Sequence, residues 1–423
     1  MSPRLRDTCY SSKNQQDANK LLSKTIEEAN NVNDNSIAVP PIKKRILRRK
    51  PKIDYVALND GEGKRALDKH PFMDKFIETF NNTMVLNEDD NKKYFLTNKQ
   101  FTDRYYEIDY PVKILDYKNS GMSIEIIDNG SKSKQVTFDT ICEALGLENN
   151  IPVMDVLTQE NETWKIKDWV NYYHDGISSI SNRNTRLKNV ISLEISDVPT
   201  IKVTRPKIVE NKDLVDVIWN NTDKKPKIKK YFLAGVENSF TDYHLDFAGT
   251  NVYYHIIGGE KWFSLYPMTP ENVEKYVEWN NSSLQQNENF LGDLLVDGKS
   301  FKLSGGDLFM IPSGYIHAVF TPKPTYVIGG NFLTLRDLDK HLAVVDIENE
   351  LKIPRKYRFP DFNKVMWLTC EYLLSENSVS NGVTNKETLG KLYRYLLQVE
   401  KETIKTFPMR KKRELLKQLK ERI

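Results

Sequence analysis

Between Tyr231 and Phe332 the chain is a series of short apolar runs separated by breaks that carry glycine and proline. This punctuation constrains the fold more than any other feature. Strand patterns fall at residues 231–236, 250–257, 261–266, 301–303, 308–311, 317–320 and 325–328. The breaks are Gly258-Gly259, Gly305-Gly306-Asp307, Pro312-Ser313-Gly314 and Gly329-Gly330, each read as a turn. Many short, regularly interrupted strands predict a closed or double-sheet barrel of the jelly-roll, cupin-like type. The longest interruption lies between Tyr266 and Lys302. It is polar and Asn-rich, with a helical stretch at 271–279, and is expected to sit outside the barrel.

The flanks differ in character. Residues 51–179 mix helical patterns at 72–80, 140–145 and 166–173 with strand patterns at 112–115, 124–127 and 153–157, and read as an α/β shell supporting the core. The catalytic domain is expected at 180–349, opening on the alternating run 189–195 and a short helix at 214–219. A helical region is expected at 350–423. There Leu389, Leu392, Tyr393, Leu396 and Leu397 follow the spacing of one helix face. The fold class is therefore mixed α+β. Residues 1–50 are polar with few aromatics and are expected to be disordered, with a short helix near 21–29. Their end, 43–52, is a basic block that reads as a nuclear import signal or a phosphate-contacting patch. Lys224 to Lys230 reads as a basic linker, and 410–423 as a basic terminal helix that packs or stays exposed, or else contacts a partner.

Composition narrows the function classes. The net charge of +4 is too small to imply nucleic-acid binding by itself, so the charge clusters carry more information than the sum. The three cysteines, Cys9, Cys142 and Cys370, are far apart. That excludes a disulfide framework and any cysteine-based zinc module within these residues, and fits a reducing compartment. No apolar run approaches the roughly 18 residues needed to span a bilayer. A soluble, intracellular protein without a membrane partner is expected.

Chemistry concentrates at His244-Leu245-Asp246. An imidazole and a carboxylate at i and i+2 share one face of an extended strand. His317 follows on a later strand pattern. Two His and one carboxylate make the facial triad of non-haem Fe(II) oxygenases, with positions left open for cosubstrate and O2. The usual cosubstrate is 2-oxoglutarate, whose far carboxylate needs a cation and a hydroxyl. Lys261 supplies the first and Thr241 the second. Lys261 is expected to point inward, paired with an anion. Tyr254 could line the same pocket, and Asn331 could tune the metal from one shell out. His255 reads as a core residue. His70, His174 and His341 lack ligand-spaced partners.

At this point the residues resemble a known family. The runs Thr241-Asp242-Tyr243-His244-Leu245-Asp246-Phe247, Tyr254-His255-Ile256, Gly259-Glu260-Lys261, Ile311 to Val319 and Gly329-Gly330-Asn331-Phe332 look like a JmjC domain. They most resemble the JmjC demethylases that act on lysine 36 of histone H3, in the fungal form without a PHD finger. The likeness covers roughly residues 51–375. It implies a double-stranded β-helix holding iron through His244, Asp246 and His317, and 2-oxoglutarate through Thr241 and Lys261, with Tyr254 and Asn331 nearby. It implies oxidative removal of methyl groups from mono- and dimethyl-lysine with formaldehyde release. The partners would be the histone H3 tail and nucleosome, with DNA contact through the basic segments, and the compartment the nucleus. One departure is Leu157, where animal relatives carry Asn. Two other readings use the same residues: a JmjC protein hydroxylase on a non-histone substrate, and a non-catalytic chromatin-binding scaffold.

Overall fold

Strands carry the architecture. In chain order they are β1 (Phe95–Leu96), β2 (Val112–Ile114), β3 (Ser123–Asp128), β4 (Lys132–Lys134), β5 (Asn150–Asp155), β6 (Glu160–Lys165) and β7 (Lys188–Glu194). Then come β8 (Ile201–Thr204), β9 (Tyr231–Gly235), β10 (Phe240–His244), β11 (Asn251–Pro267), β12 (Lys299–Ser304), β13 (Leu308–Ile311) and β14 (Tyr315–Phe332). The computed structural model describes residues 70–423 apart from 83–84, 90, 129–131, 181–185, 220–223 and 376–384. The expected arm at 1–50, the helix near 21–29 and the basic block at 43–52 thus lie outside the described residues.

The large sheet has the order β1-β2-β13-β11-β14-β9-β7-β5-β6, with β10 added on β14 and β12 on β11. Apart from the parallel β1–β2 pair, its pairings are antiparallel, and β9 to β14 form a jelly-roll core. A smaller sheet, β4-β3-β8, stands apart. The helix Phe138–Leu145 starts in a Thr137/Thr140 capping box and buries Phe138, Ile141, Cys142 and Leu145, one face of its two turns. The helix Met73–Asn82 lays Phe76 against Phe240, 5.3 Å between ring centroids, and stacks Phe80 on Trp262 at 4.8 Å.

Two of the expected turns are not turns. The runs at 250–257 and 261–266 belong to one 17-residue strand, β11, and those at 317–320 and 325–328 to one 18-residue strand, β14. The glycine pairs are places of close approach inside these strands. Register slips around Gly258 and Glu260 mark bulges. Gly259 has φ +87°, and a Cβ there would stand 2.0 Å from the Pro324 carbonyl oxygen. At Gly330 a Cβ would stand 1.9 Å from the Lys229 carbonyl oxygen.

The insertion after β11 lies off the sheet, as expected, but it is not remote from the site. Its helix Pro270–Asn281 is capped by Thr269, and Tyr276 accepts a 3.3 Å hydrogen bond from the Leu245 N–H through its hydroxyl. The stretch 224–230 is not a free basic linker either. Lys225 and Lys229 both pair with Asp216, and Arg205 bridges Asp216 and the fully buried Asp213. Charges this deep persist only when paired.

Among the described residues four α-helices close the chain: Leu338–Glu350, Phe362–Leu374, Lys386–Gln398 and Met409–Arg422. They share a second core built on Trp367, Leu392, Leu396 and Leu419. The expected stripe on the third of them shifts by a residue at its end: Tyr395 is buried, and Leu397 is exposed. The terminal helix packs through Leu415, Leu416 and Leu419.

Candidate active site

β10 and β14 place the two imidazoles. His244 and His317 face each other directly across the strand pair, with ring centroids 4.3 Å apart. Each ring is held by the carbonyl two residues before it: His244 Nδ1 lies 2.8 Å from the Asp242 oxygen, and His317 Nδ1 lies 3.0 Å from the Tyr315 oxygen. A carbonyl accepts only, so both Nδ1 atoms carry the proton and both Nε2 atoms are left as donors of electron pairs. Burial, with His244 beside it, holds His317 down at about 4, so it is neutral at physiological pH. Asp246 follows the end of β10. The ligand atoms of His244, Asp246 and His317 all lie within 4.8 Å of one another.

The bend after Asp246 has an unusual backbone. Ala248 and Gly249 take φ of 48° and 55°. His341 clamps this bend from the helix Leu338–Glu350. Its Nδ1 lies 3.1 Å and 3.0 Å from the Ala248 and Gly249 carbonyls, and its Nε2 accepts 3.0 Å from the Thr334 N–H. The Ala248 N–H is taken up by Glu348. His341 is thus structural, in line with its lack of a ligand-spaced partner in the sequence.

The cluster opens into a cavity of about 940 Å³. Thr241, Tyr254, Lys261 and Asn331 all line it, so the structure brings every expected site residue to one place. Lys261 points inward and is buried, but its partner is not an anion. Its Nζ donates 2.6 Å to the Thr321 hydroxyl. No carboxylate among the described residues is paired with it, and burial brings its ammonium down to about 7. Asn331 donates 2.8 Å to Thr250 Oγ1, a contact that fixes its amide. A larger cavity, about 1070 Å³, lies along the C-terminal helices and contains no such His and carboxylate cluster.

The donor set fits a divalent transition metal. It offers two imidazoles, each hydrogen-bonded from behind through Nδ1, and one carboxylate, with His317 buried and the other two half-buried. A buried ammonium on the wall of the same cavity, with no carboxylate partner among the described residues, fits the far carboxylate of a dianionic oxo-acid.

Residues 231–332 match the family described as JmjC domain, hydroxylase, and 337–423 match the Jumonji helical domain. The chain is 42% identical over 383 residues to a JmjC domain-containing histone demethylation protein 1 of Candida glabrata, covering 89% of this chain and 92% of that protein. Against the protein of the same name in Saccharomyces cerevisiae it is 41% identical, covering 82% and 71%. The chain belongs to the JmjC-domain histone demethylase family. The jelly-roll core is the one this family membership calls for, and the four closing helices correspond to its helical domain.

Several residues of this JmjC site escaped the sequence reading. Asn189, at the start of β7, lines the cavity, and its Nδ2 lies 3.5 Å from Thr241 Oγ1. A Cβ on Gly235 would sit 3.0 Å from Asn189 Oδ1 and 3.1 Å from Lys261 Nζ, so the two polar groups meet over a glycine. The signal was a polar residue heading an alternating strand. Gln159 braces β10 from outside, donating to the Phe240 carbonyl at 3.1 Å and accepting from the Asp242 N–H at 3.2 Å. His70 lies 3.5 Å from the Asp242 carboxylate. Leu157, the departure from animal relatives, is not among the cavity's lining residues.

Proposed function

We propose that this protein is an Fe(II)- and 2-oxoglutarate-dependent dioxygenase that demethylates mono- and dimethyl-lysine on histone H3, with lysine 36 as the target. The observation that carries the reading is the His244, Asp246 and His317 cluster on the floor of a cavity that also holds the buried Lys261. The names of the relatives support the histone substrate. Nucleosomes as partner, DNA contact through the basic segments and a nuclear location go with it. So does the assignment of 180–349 as the catalytic domain between an N-terminal support region, 51–179, and the helical region at 350–423.

His244, Asp246 and His317 would hold the iron. Lys261 and Thr241 would hold 2-oxoglutarate, with Asn189, Tyr254 and Asn331 around it. Once bound, iron with 2-oxoglutarate and O2 supplies the oxidation of an N-methyl group to the carbinolamine level, 2-oxoglutarate leaving as succinate and CO2. The chain's own work is positioning. The Asp242 and Tyr315 carbonyls keep both imidazoles in one tautomer and orientation. The apolar walls, among them Val252, Phe263 and Val319, keep water from the reacting methyl. Lys261 supplies a charge for the oxo-acid without a competing carboxylate. The carbinolamine then loses formaldehyde and leaves the lysine with one methyl fewer.

The test is mass spectrometry of an H3 peptide dimethylated at lysine 36, incubated with protein, Fe(II), ascorbate and 2-oxoglutarate, beside His244→Ala. Stepwise loss of about 14 Da per methyl, in the wild type only, is expected by formula arithmetic. A gain of about 16 Da instead points to a hydroxylase. Unaltered peptide with nucleosome binding that survives His244→Ala points to a scaffold.

A further inference from the structure

β7 contains a bulge with a consequence for the cavity. Its pairing with β9 runs Asn189 opposite Gly235 and Val190 opposite Ala234, then resumes as Leu193 opposite Phe232 and Glu194 opposite Tyr231. The register has slipped by one residue. In a regular strand, residues five apart point to opposite faces. The bulge cancels that difference, and Asn189 and Glu194 both line the 940 Å³ cavity. Asn189 lies toward Lys261. Glu194 lies beside Tyr231, which lines the same wall.

The charges of the cavity make Glu194 distinctive. Lys227, Arg355, Lys356 and Arg358 all stand on its walls. Against them it has three carboxylates, Glu194, Asp246 and Asp361. Asp246 belongs to the metal cluster. Asp361 is exposed and faces the second cavity as well. Glu194 is half-buried, and its carboxylate is fixed by the Ser196 N–H at 3.2 Å and by the Ser196 hydroxyl. Tyr231 stands between Glu194 and the metal end: it pairs with Glu194 on β7 and with Gly329 on β14, and it lines the same cavity as Asp246. Its hydroxyl donates 3.3 Å to the Lys227 carbonyl, which orients the ring.

We propose that Glu194 and Tyr231 form the subsite for the substrate's methylated ammonium group, and that Glu194 selects ammonium groups that keep an N–H. The proposal rests on the demethylase reading above and supplies a physical origin for its preference for mono- and dimethyl-lysine. A cation entering between basic walls needs a carboxylate where it comes to rest. The ring gives any methylammonium a π face. The carboxylate adds a charge-assisted hydrogen bond only to protonated mono- and dimethyl-lysine, because trimethyl-lysine has no N–H.

The test is fluorescence anisotropy with labelled H3 peptides carrying unmodified, dimethyl- or trimethyl-lysine at position 36. The protein is loaded with Fe(II) and 2-oxoglutarate and kept free of oxygen, so no turnover occurs. Wild type should bind the dimethyl peptide about tenfold more tightly than the trimethyl one, a difference of about 1.4 kcal/mol. Glu194→Gln should bring the two within about twofold, by weakening dimethyl binding, and Glu194→Asp should restore part of the gap. Tyr231→Ala should weaken both peptides alike. An unchanged dimethyl-to-trimethyl ratio in Glu194→Gln overturns the subsite. A substrate-side arm needs no substitution: a peptide with the neutral carbon isostere of trimethyl-lysine should bind wild type several-fold more weakly than trimethyl-lysine itself, and equal binding also overturns the subsite. If wild type binds neither methylated peptide better than the unmodified one, the demethylase reading fails and takes the subsite with it.

Discussion

Lys261 Nζ donates a 2.6 Å hydrogen bond to Thr321 Oγ1 inside the cavity, and both side chains are buried. A hydroxyl does not compensate an ammonium as a carboxylate would, and burial lowers Lys261 from 10.5 to about 7. On the proposed reading, 2-oxoglutarate binds the protonated form. Its affinity, measured by calorimetry, should be level below pH about 7 and weaken by roughly tenfold per pH unit above it. The stability of the free protein should move the other way. The folded pKa lies below the unfolded one, so the unfolded chain holds the extra proton between pH 7 and 10.5, and this group's contribution to stability rises with pH across that window. Lys261→Met should abolish 2-oxoglutarate binding while raising the melting temperature of the free protein near pH 6.

His341 gives the opposite kind of test, because it is a structural residue. It holds the Ala248 and Gly249 carbonyls and the Thr334 N–H at once, in the neutral form. Burial lowers it from 6.5 to about 4. The depressed value means that its stabilisation is complete above pH 6.5 and is lost as pH falls toward 4. His341→Leu should cost about 2–4 kcal/mol in denaturant unfolding at pH 7.5 and flatten the acid side of the stability profile.

Gly330→Ala tests the long-strand arrangement of β14. The new methyl would fall 1.9 Å from the Lys229 carbonyl oxygen, and backbone cannot yield as a flexible side chain can. A loss of about 3 kcal/mol or more is expected, read as a lowered denaturation midpoint. An unaffected midpoint would mean that the chain turns at this glycine pair, as the sequence pattern alone suggested.

The contrast between Gly330 and His244 explains what could be read from the sequence. His244, Asp246, His317, Lys261 and Thr241 were legible because ligand chemistry demands these residue types and strand geometry sets the i, i+2 spacing. The Gly258-Gly259 and Gly329-Gly330 pairs were misread because a glycine that makes a turn and one that admits a neighbouring backbone look alike in one dimension. Thr321 and Glu194 were invisible for a related reason. Thr321 matters only through a long-range contact with Lys261, and Glu194 reaches the cavity only through a bulge that alternation cannot reveal. The ion-pair cluster of Arg205, Asp213, Asp216 and Lys229 hid in the same way, since pairing turned an apparent basic linker into a buried segment.

Metal binding should depend on the triad far more than on its neighbours. Replacing Asp246 by Ala should eliminate the visible absorption that Co(II) acquires on binding the wild-type protein, and His244→Ala should do the same. Gln159→Ala, which loosens only the brace behind β10, should weaken the metal by about 10-fold and leave the bound spectrum recognisable. Equal Co(II) spectra in wild type and Asp246→Ala would place the metal elsewhere.

The most direct measurement of the central claim is the product balance on a dimethyl-lysine H3 peptide, with succinate and formaldehyde quantified in the same reaction. The account predicts one formaldehyde for each methyl lost, matched by succinate apart from a small peptide-independent turnover, and neither product from Asp246→Ala. Succinate formed on the peptide without formaldehyde, or methyl loss that does not need 2-oxoglutarate, would contradict it.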